Sequence, residues 1–180
     1  MKKRRIYSFN IHFQSAQYYL DLSKDANQSE AINSTSSLVS SAFGLEAFLN
    51  HVGEQVFTSW KDYLKKSLGP EAKLRLIAEK IGLKPDFGKQ PFQSVKTLFE
   101  FRNAMAHSVT EDLSDDDAKK GKYFFKVGNQ SYPAVEWEKL RTSRIAETIL
   151  NDVTDVITKI EKKSKIKPIP REVLSEFMKI

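Results

Sequence analysis

The spacing of apolar residues, helical in several long segments, constrains the fold of this 180-residue chain more than any other feature. The spacing is clearest in one stripe, where the steps alternate between four and three residues: Leu38, Ala42, Leu45, Leu49, Val52 and Val56. Such a stripe is typical of an amphipathic helix with one buried face. Similar apolar patterns, together with residues typical of helix ends, predict five helices. Their approximate ranges are Ile11–Ser23, Glu30 to beyond Val52, Pro70–Gly82, Pro91–His107 and Glu138–Lys163.

Several helices joined by short connections indicate a mostly α fold, which we predict to be an antiparallel up-and-down helical bundle. Two runs of β-forming residues, Tyr123–Val127 and Ser131–Trp137, flank a short turn sequence, and they predict a small β-hairpin insertion. The acidic residues 111–117 are predicted to form an exposed loop. Because a chain of this length can bury one core, we expect a single domain over residues 1–165. Residues 166–180 are predicted to be a basic tail that can form a short helix.

Composition excludes several classes of function. The chain has no cysteine, so disulfide scaffolds, thiolate zinc sites and cysteine nucleophiles are ruled out. It has no glycine-rich phosphate loop, and His12 and His51 lack the spacing of metal ligands. We therefore expect no metal and no cofactor. No apolar run is long enough for a membrane helix or a signal peptide, so we expect a cytoplasmic protein without a membrane partner.

The net charge of +6 is concentrated at the two ends of the sequence. Lys2 to Arg5 form one basic cluster, and a second lies between Lys159 and Arg171. Such clusters attract polyanions such as RNA. Solvent-exposed tails would carry the same charge without recognising any ligand, so charge by itself does not identify a function.

The segment Pro91–His107 carries the residues that could perform chemistry. Arg102 falls on its apolar face, where an unpaired guanidinium would be costly, so Arg102 must meet a carboxylate, extend to solvent or face a cleft that holds an anion. Asn103 and His107 are one helical turn apart and are therefore neighbours on one face. Histidine is the side chain best suited to exchanging protons near neutral pH.

The segment Phe101–His107, with the sequence FRNAMAH, resembles the Arg-x(4 to 6)-His signature of HEPN domains in its Arg-Asn-x-x-x-His form. Upstream, the segment Ala42–Asn50 is similar to the second helix of many HEPN proteins. The two segments stand in the order that the family shows. With the surrounding helices, the resemblance covers roughly Ile11 to Ile160.

The resemblance implies a homodimer in which two copies of the motif face a shared cleft and cleave RNA without a metal. The ribose 2'-hydroxyl would attack the adjacent phosphate, with His107 as general base or acid. Arg102 would stabilise the charged phosphorane, and Asn103 would orient the pair. The class of function implied is an endoribonuclease of the toxin or defence type, with an antitoxin or another protein as partner.

The sequence departs from one subgroup of toxins, in which a tyrosine follows two residues after the histidine. This chain has Val109 at that position. The departure argues against close kinship with that subgroup and against its nucleotidyltransferase antitoxin.

Two supporting residues lie one turn apart on the second predicted helix, Glu46 and Asn50, beside its apolar stripe. Glu46 is better placed as a partner for Arg102 than as a catalytic acid. Other functions therefore stay open beside the ribonuclease. The chain could be a non-catalytic HEPN module that binds a protein or a nucleotide, or a helical protein in which Arg102 and Glu46 only hold the core together.

Overall fold

The computed structural model describes residues 6–65, 68–107, 123–127 and 130–166. In these residues the chain is mostly helical, as predicted. The α-helices are α1 (Ser8–Ser23), α2 (Glu30–Val56), α3 (Trp60–Lys65), α4 (Pro70–Lys80), α5 (Phe92–His107) and α6 (Ser143–Ser164). A 3-10 turn, Glu138–Leu140, precedes α6.

The helices differ from the predicted ones mainly at two helix starts and in one additional helix. Helix α1 begins at Ser8, three residues before the predicted start. Helix α3 was not predicted, because six residues are too few to show a helical period. Helix α6 begins at Ser143 instead of Glu138, since the Thr142 hydroxyl accepts a hydrogen bond from the Ile145 amide at 3.4 Å and caps the helix there.

Two strands, β1 (Tyr123–Val127) and β2 (Gln130–Ala134), pair antiparallel, with Phe125 opposite Tyr132. Strand β2 ends three residues before the predicted Trp137. Residues 128 and 129, which would form the turn of the hairpin, lie outside the described residues. The predicted acidic loop at 111–117 and residues 167–180 of the predicted tail also lie outside them. The hairpin and the tail therefore stay predictions.

Helix α2 is the centre of the fold and contacts α1, α3, α4, α5 and α6. Its buried face contains the predicted stripe from Leu38 to Val52. Helix α1 packs antiparallel to α2. The Phe9 ring, near the start of α1, meets the Phe48 ring, near the end of α2, at 5.8 Å, and further along α1 the Ala16 carbonyl oxygen accepts from the Ser37 hydroxyl at 2.8 Å. Burial of this apolar face is the main favourable term in folding.

Helices α2 and α6 begin side by side. The Glu30 carboxylate in the first turn of α2 accepts hydrogen bonds from the amide and the hydroxyl of Ser143, each at 2.8 Å. These bonds lower the pKa of Glu30, because they favour the charged carboxylate. In the part of the chain that the structure describes, no helix is long and apolar enough to cross a membrane.

The contact between Gly53 of α2 and Trp60 of α3 gives a test of this packing. A Cβ at Gly53 would overlap the buried Trp60 ring. Gly53→Ala would gain up to about 1 kcal/mol of helix propensity, but overpacking should outweigh that gain and lower the free energy of unfolding by about 1–3 kcal/mol. Urea unfolding measures the change. A Cβ at Gly69 would meet nothing within 4 Å, so Gly69→Ala is the control and should cost less than Gly53→Ala, with only the weaker N-cap of α4 to lose. A Gly53→Ala variant as stable as the parent would contradict this packing.

Candidate functional site

Arg102 lies near the end of α5, on the face that follows the buried residues Val95, Leu98 and Phe99. Its side chain is 24% exposed. Met105 on the same face packs against the core, whereas Ala106 is exposed. The structure therefore places a half-buried guanidinium at the edge of the bundle.

The Glu46 carboxylate of α2 is the acidic partner that the sequence led us to expect for Arg102. One guanidinium nitrogen, Nη2, lies 3.3 Å from Glu46 Oε2. The other carboxylate oxygen, Oε1, accepts from the Lys73 ammonium of α4 at 2.6 Å. We call Glu46, Lys73 and Arg102 the Glu46 cluster. Its formal charges are one negative and two positive, which leaves a net charge of +1.

Lys73 is the stronger of the two counter-ions of Glu46. Its side chain is 6% exposed, against 24% for Arg102, and its ammonium is 0.7 Å closer to a carboxylate oxygen. Charges attract more strongly at short distance and away from water. Sequence analysis missed Lys73, although a cation on the same face as Ile77 is the kind of signal that had singled out Arg102.

Two further contacts orient the Arg102 side chain. Its Nη1 donates to the Asn103 side-chain oxygen at 3.0 Å. Its guanidinium carbon lies 5.6 Å from the centre of the Phe43 ring, in a cation–π arrangement. Phe43 is itself 40% exposed on α2. The proposed role of Asn103, which is to orient the arginine, is compatible with this hydrogen bond.

His107 is the last residue of α5 and is exposed. Asn103, one turn earlier, is exposed as well. Arg102 and His107 are five residues apart, so they project from α5 in directions that differ by about 140°. The structure thus brings Arg102, Asn103 and Glu46 together within one chain, and it directs His107 elsewhere.

Asn50, His12 and His51 have other surroundings, although His12 packs on the same Phe43 ring as Arg102. The buried side-chain oxygen of Asn50 has no hydrogen-bond partner among the described residues. The His12 ring meets Phe43 at 5.8 Å, and the His51 ring packs on Tyr7 at 5.3 Å. Within the described ranges, no group of three or more histidine, aspartate or glutamate side chains could hold a metal ion.

A cleft of about 360 Å³ borders the site between the start of α4 and the middle of α5. Pro70, Glu71, Phe99, Glu100 and Asn103 are among its lining residues. Arg75 also lines this cleft and pairs with Glu71 at 2.6 Å, so its walls carry two carboxylates and one cation.

A scan against protein-family models returns no match to this chain. Searches among curated proteins and among solved structures return none either. The HEPN assignment therefore stays a prediction, which depends on the motif residues of α2 and α5.

The geometry of the Glu46 cluster predicts that its two cations contribute differently to stability. Arg102→Met should cost about 1 kcal/mol or less, because Lys73 still neutralises Glu46 and half-exposed ion pairs are weak. Lys73→Met should cost more, about 2 kcal/mol, because it removes the buried partner of a half-buried carboxylate. Thermal unfolding of both variants checks the order. An Arg102→Met variant that is the less stable of the two would show that Arg102 is the main counter-ion.

Proposed function

We propose that this chain is a metal-independent endoribonuclease of the HEPN type, which cleaves RNA in a cleft shared by two copies. The supporting observation is the Glu46 cluster, in which the half-exposed Arg102 guanidinium belongs to a group with a net charge of +1. A guanidinium offers a planar set of donors that matches the oxygens of a phosphodiester. Asn103 contacts this guanidinium, and His107 ends the same helix on another side.

The proposed mechanism uses RNA as the source of its own nucleophile. The His107 imidazole of one copy takes the proton of a ribose 2'-hydroxyl, and the 2'-oxygen attacks the adjacent phosphorus. Arg102 donates hydrogen bonds to the non-bridging oxygens as negative charge builds on the phosphorane. The bond from phosphorus to the 5'-oxygen breaks, and the 5'-oxygen takes a proton from a protonated imidazole. The products are a 2',3'-cyclic phosphate and a 5'-hydroxyl.

A second copy is part of the proposal because one copy directs Arg102 and His107 apart. Two copies that meet at the ends of their α5 helices could place the histidine of one near the arginine of the other. Ile32 and Phe43 are exposed apolar residues about three turns apart on the same face of α2, and Phe43 touches Arg102. This face is suited to contact a second copy.

The finer predictions of an up-and-down bundle with a hairpin insertion, a toxin or defence role and a protein partner belong to the same proposal.

One observation favours a second candidate, a non-catalytic interaction module. Arg102 already contacts Glu46, Asn103 and the Phe43 ring within its own chain. A guanidinium held in this way can also support a binding surface without taking part in a reaction.

Cleavage of single-stranded RNA tests the ribonuclease directly. Cleavage should persist in excess chelator and leave 2',3'-cyclic phosphate ends, whereas DNA of the same sequence should stay intact. His107→Ala should lower the rate by about a hundredfold or more, the usual effect of losing an acid or base. Arg102→Lys should also lose activity, because an ammonium keeps the charge without the planar donors.

His51→Gln, at a histidine on another helix, is the control and should cleave at close to the parental rate once circular dichroism shows that it folds. If the purified protein cuts no RNA, or if His107→Ala keeps full activity, the nuclease proposal fails and the interaction module is the better hypothesis.

The dimer is a separate prediction. Sedimentation at high micromolar concentration should show two copies, and Phe43→Glu should shift the equilibrium to monomer, because it places a charge on the apolar face beside Arg102. Tyr18→Glu changes another exposed aromatic residue, on α1, and should leave the dimer intact. A parent protein that sediments only as monomer would refute the shared cleft.

A further inference from the structure

We propose that Lys73 is a positioning residue, which neutralises Glu46 and so leaves Arg102 available to a phosphate. Lys73 itself is nearly inaccessible, with 6% of its side chain exposed, and cannot contact RNA. Its influence must therefore pass through Glu46. The inference depends on the proposed function for its RNA measurement, while its stability measurement is independent of RNA.

The two cations bind different oxygens of the same carboxylate. Lys73 approaches Oε1 from α4, and Arg102 approaches Oε2 from α5. The lysine contact, at 2.6 Å, is the shorter, and the arginine contact, at 3.3 Å, is long for a charged hydrogen bond. Because Lys73 already neutralises the Glu46 carboxylate, Glu46 holds Arg102 only weakly.

The net charge of the Glu46 cluster falls when Lys73 is lost. With Lys73 the formal charges of Glu46, Lys73 and Arg102 add to +1, and without it they add to zero. In the second case Glu46 would bind Arg102 more tightly, and its carboxylate, no longer neutralised by Lys73, would repel an approaching phosphate. Removal of a buried lysine should thus weaken RNA binding at an arginine that is still present.

A charge-rescue series tests this inference with a fluorescein-labelled single-stranded oligonucleotide whose 2'-hydroxyls are methylated, so that it cannot be cleaved. Lys73→Met should weaken binding by about tenfold, comparable to the loss of one charged contact to a phosphate. The double variant Lys73→Met/Glu46→Gln restores the net charge of +1 through Arg102 alone. It should return to within about threefold of the parent, since replacing both members of a buried pair leaves no unpaired charge.

Two control variants separate the effect on Glu46 from a general loss of positive charge and from poor folding. Lys24→Met removes the same charge from an exposed pair with Glu147 on α6 and should change binding by less than about threefold, because Lys24 does not contact Glu46 and water and salt screen its charge. Lys73→Gln keeps a hydrogen-bond donor toward Glu46 without the charge, so it should show the same loss as Lys73→Met even if the methionine variant folds poorly. Binding by Lys73→Gln at the parental level, or a double variant that does not recover, would overturn the proposal.

The stability measurement needs no RNA. In the parent, Arg102→Met leaves the pair of Glu46 and Lys73 intact, so it should lower the melting temperature only slightly. In the Lys73→Gln background the same substitution leaves Glu46 without a cationic partner from the cluster, and the drop should be at least twice as large. Equal drops in the two backgrounds would show that Glu46 is not shared, and would overturn the proposal. RNA affinity that is unaffected by Arg102→Met would instead overturn the proposed function, and the two failures are therefore distinguishable.

Discussion

The Glu46 carboxylate is the group on which the arrangement of the candidate site depends. It lies on α2, is 20% exposed and needs compensation that water alone cannot give. Lys73 and Arg102 supply it from α4 and α5, at contacts separated by 27 and 56 residues along the chain. One half-buried charge therefore links three helices and fixes where the guanidinium lies.

Helix α2 can serve as this centre because small residues let its neighbours approach closely. Gly44 faces the Phe13 ring of α1, and Gly53 faces the Trp60 ring of α3. Among its buried serines, Ser37 donates to the Ala16 carbonyl oxygen of α1 and Ser41 donates to the Ser37 carbonyl oxygen of α2 itself. The buried Ser34 hydroxyl has no hydrogen-bond partner among the described residues. Phe43, which is next to Gly44 and meets the His12 ring of α1 at 5.8 Å, stays 40% exposed beside Arg102.

The end of α5 combines an arginine held in place by its neighbours with two polar side chains that face solvent. Arg102 stays near the buried face and is held by polar and aromatic contacts, while Asn103 and His107 face solvent. Ordered cations at the edge of a bundle favour an anion as ligand, and the exposed histidine adds a group that can move protons. The proposed ribonuclease and the proposed interaction module would both use this surface, and they differ in whether Arg102 takes part in a reaction.

Apolar periodicity in the sequence was enough to predict the helices α2, α4 and α5, and a cation in an apolar position was enough to select Arg102. Periodicity records which face of a helix is buried, because burial of that face dominates the energetics. It could not reveal α3, whose six residues span less than two turns, or the start of α6, which depends on the Thr142 cap. The identity of partners was decided only by the tertiary structure. Lys73 meets Glu46 because α4 crosses α2 at that point, and the angle and register of such a crossing depend on side chains from several helices at once.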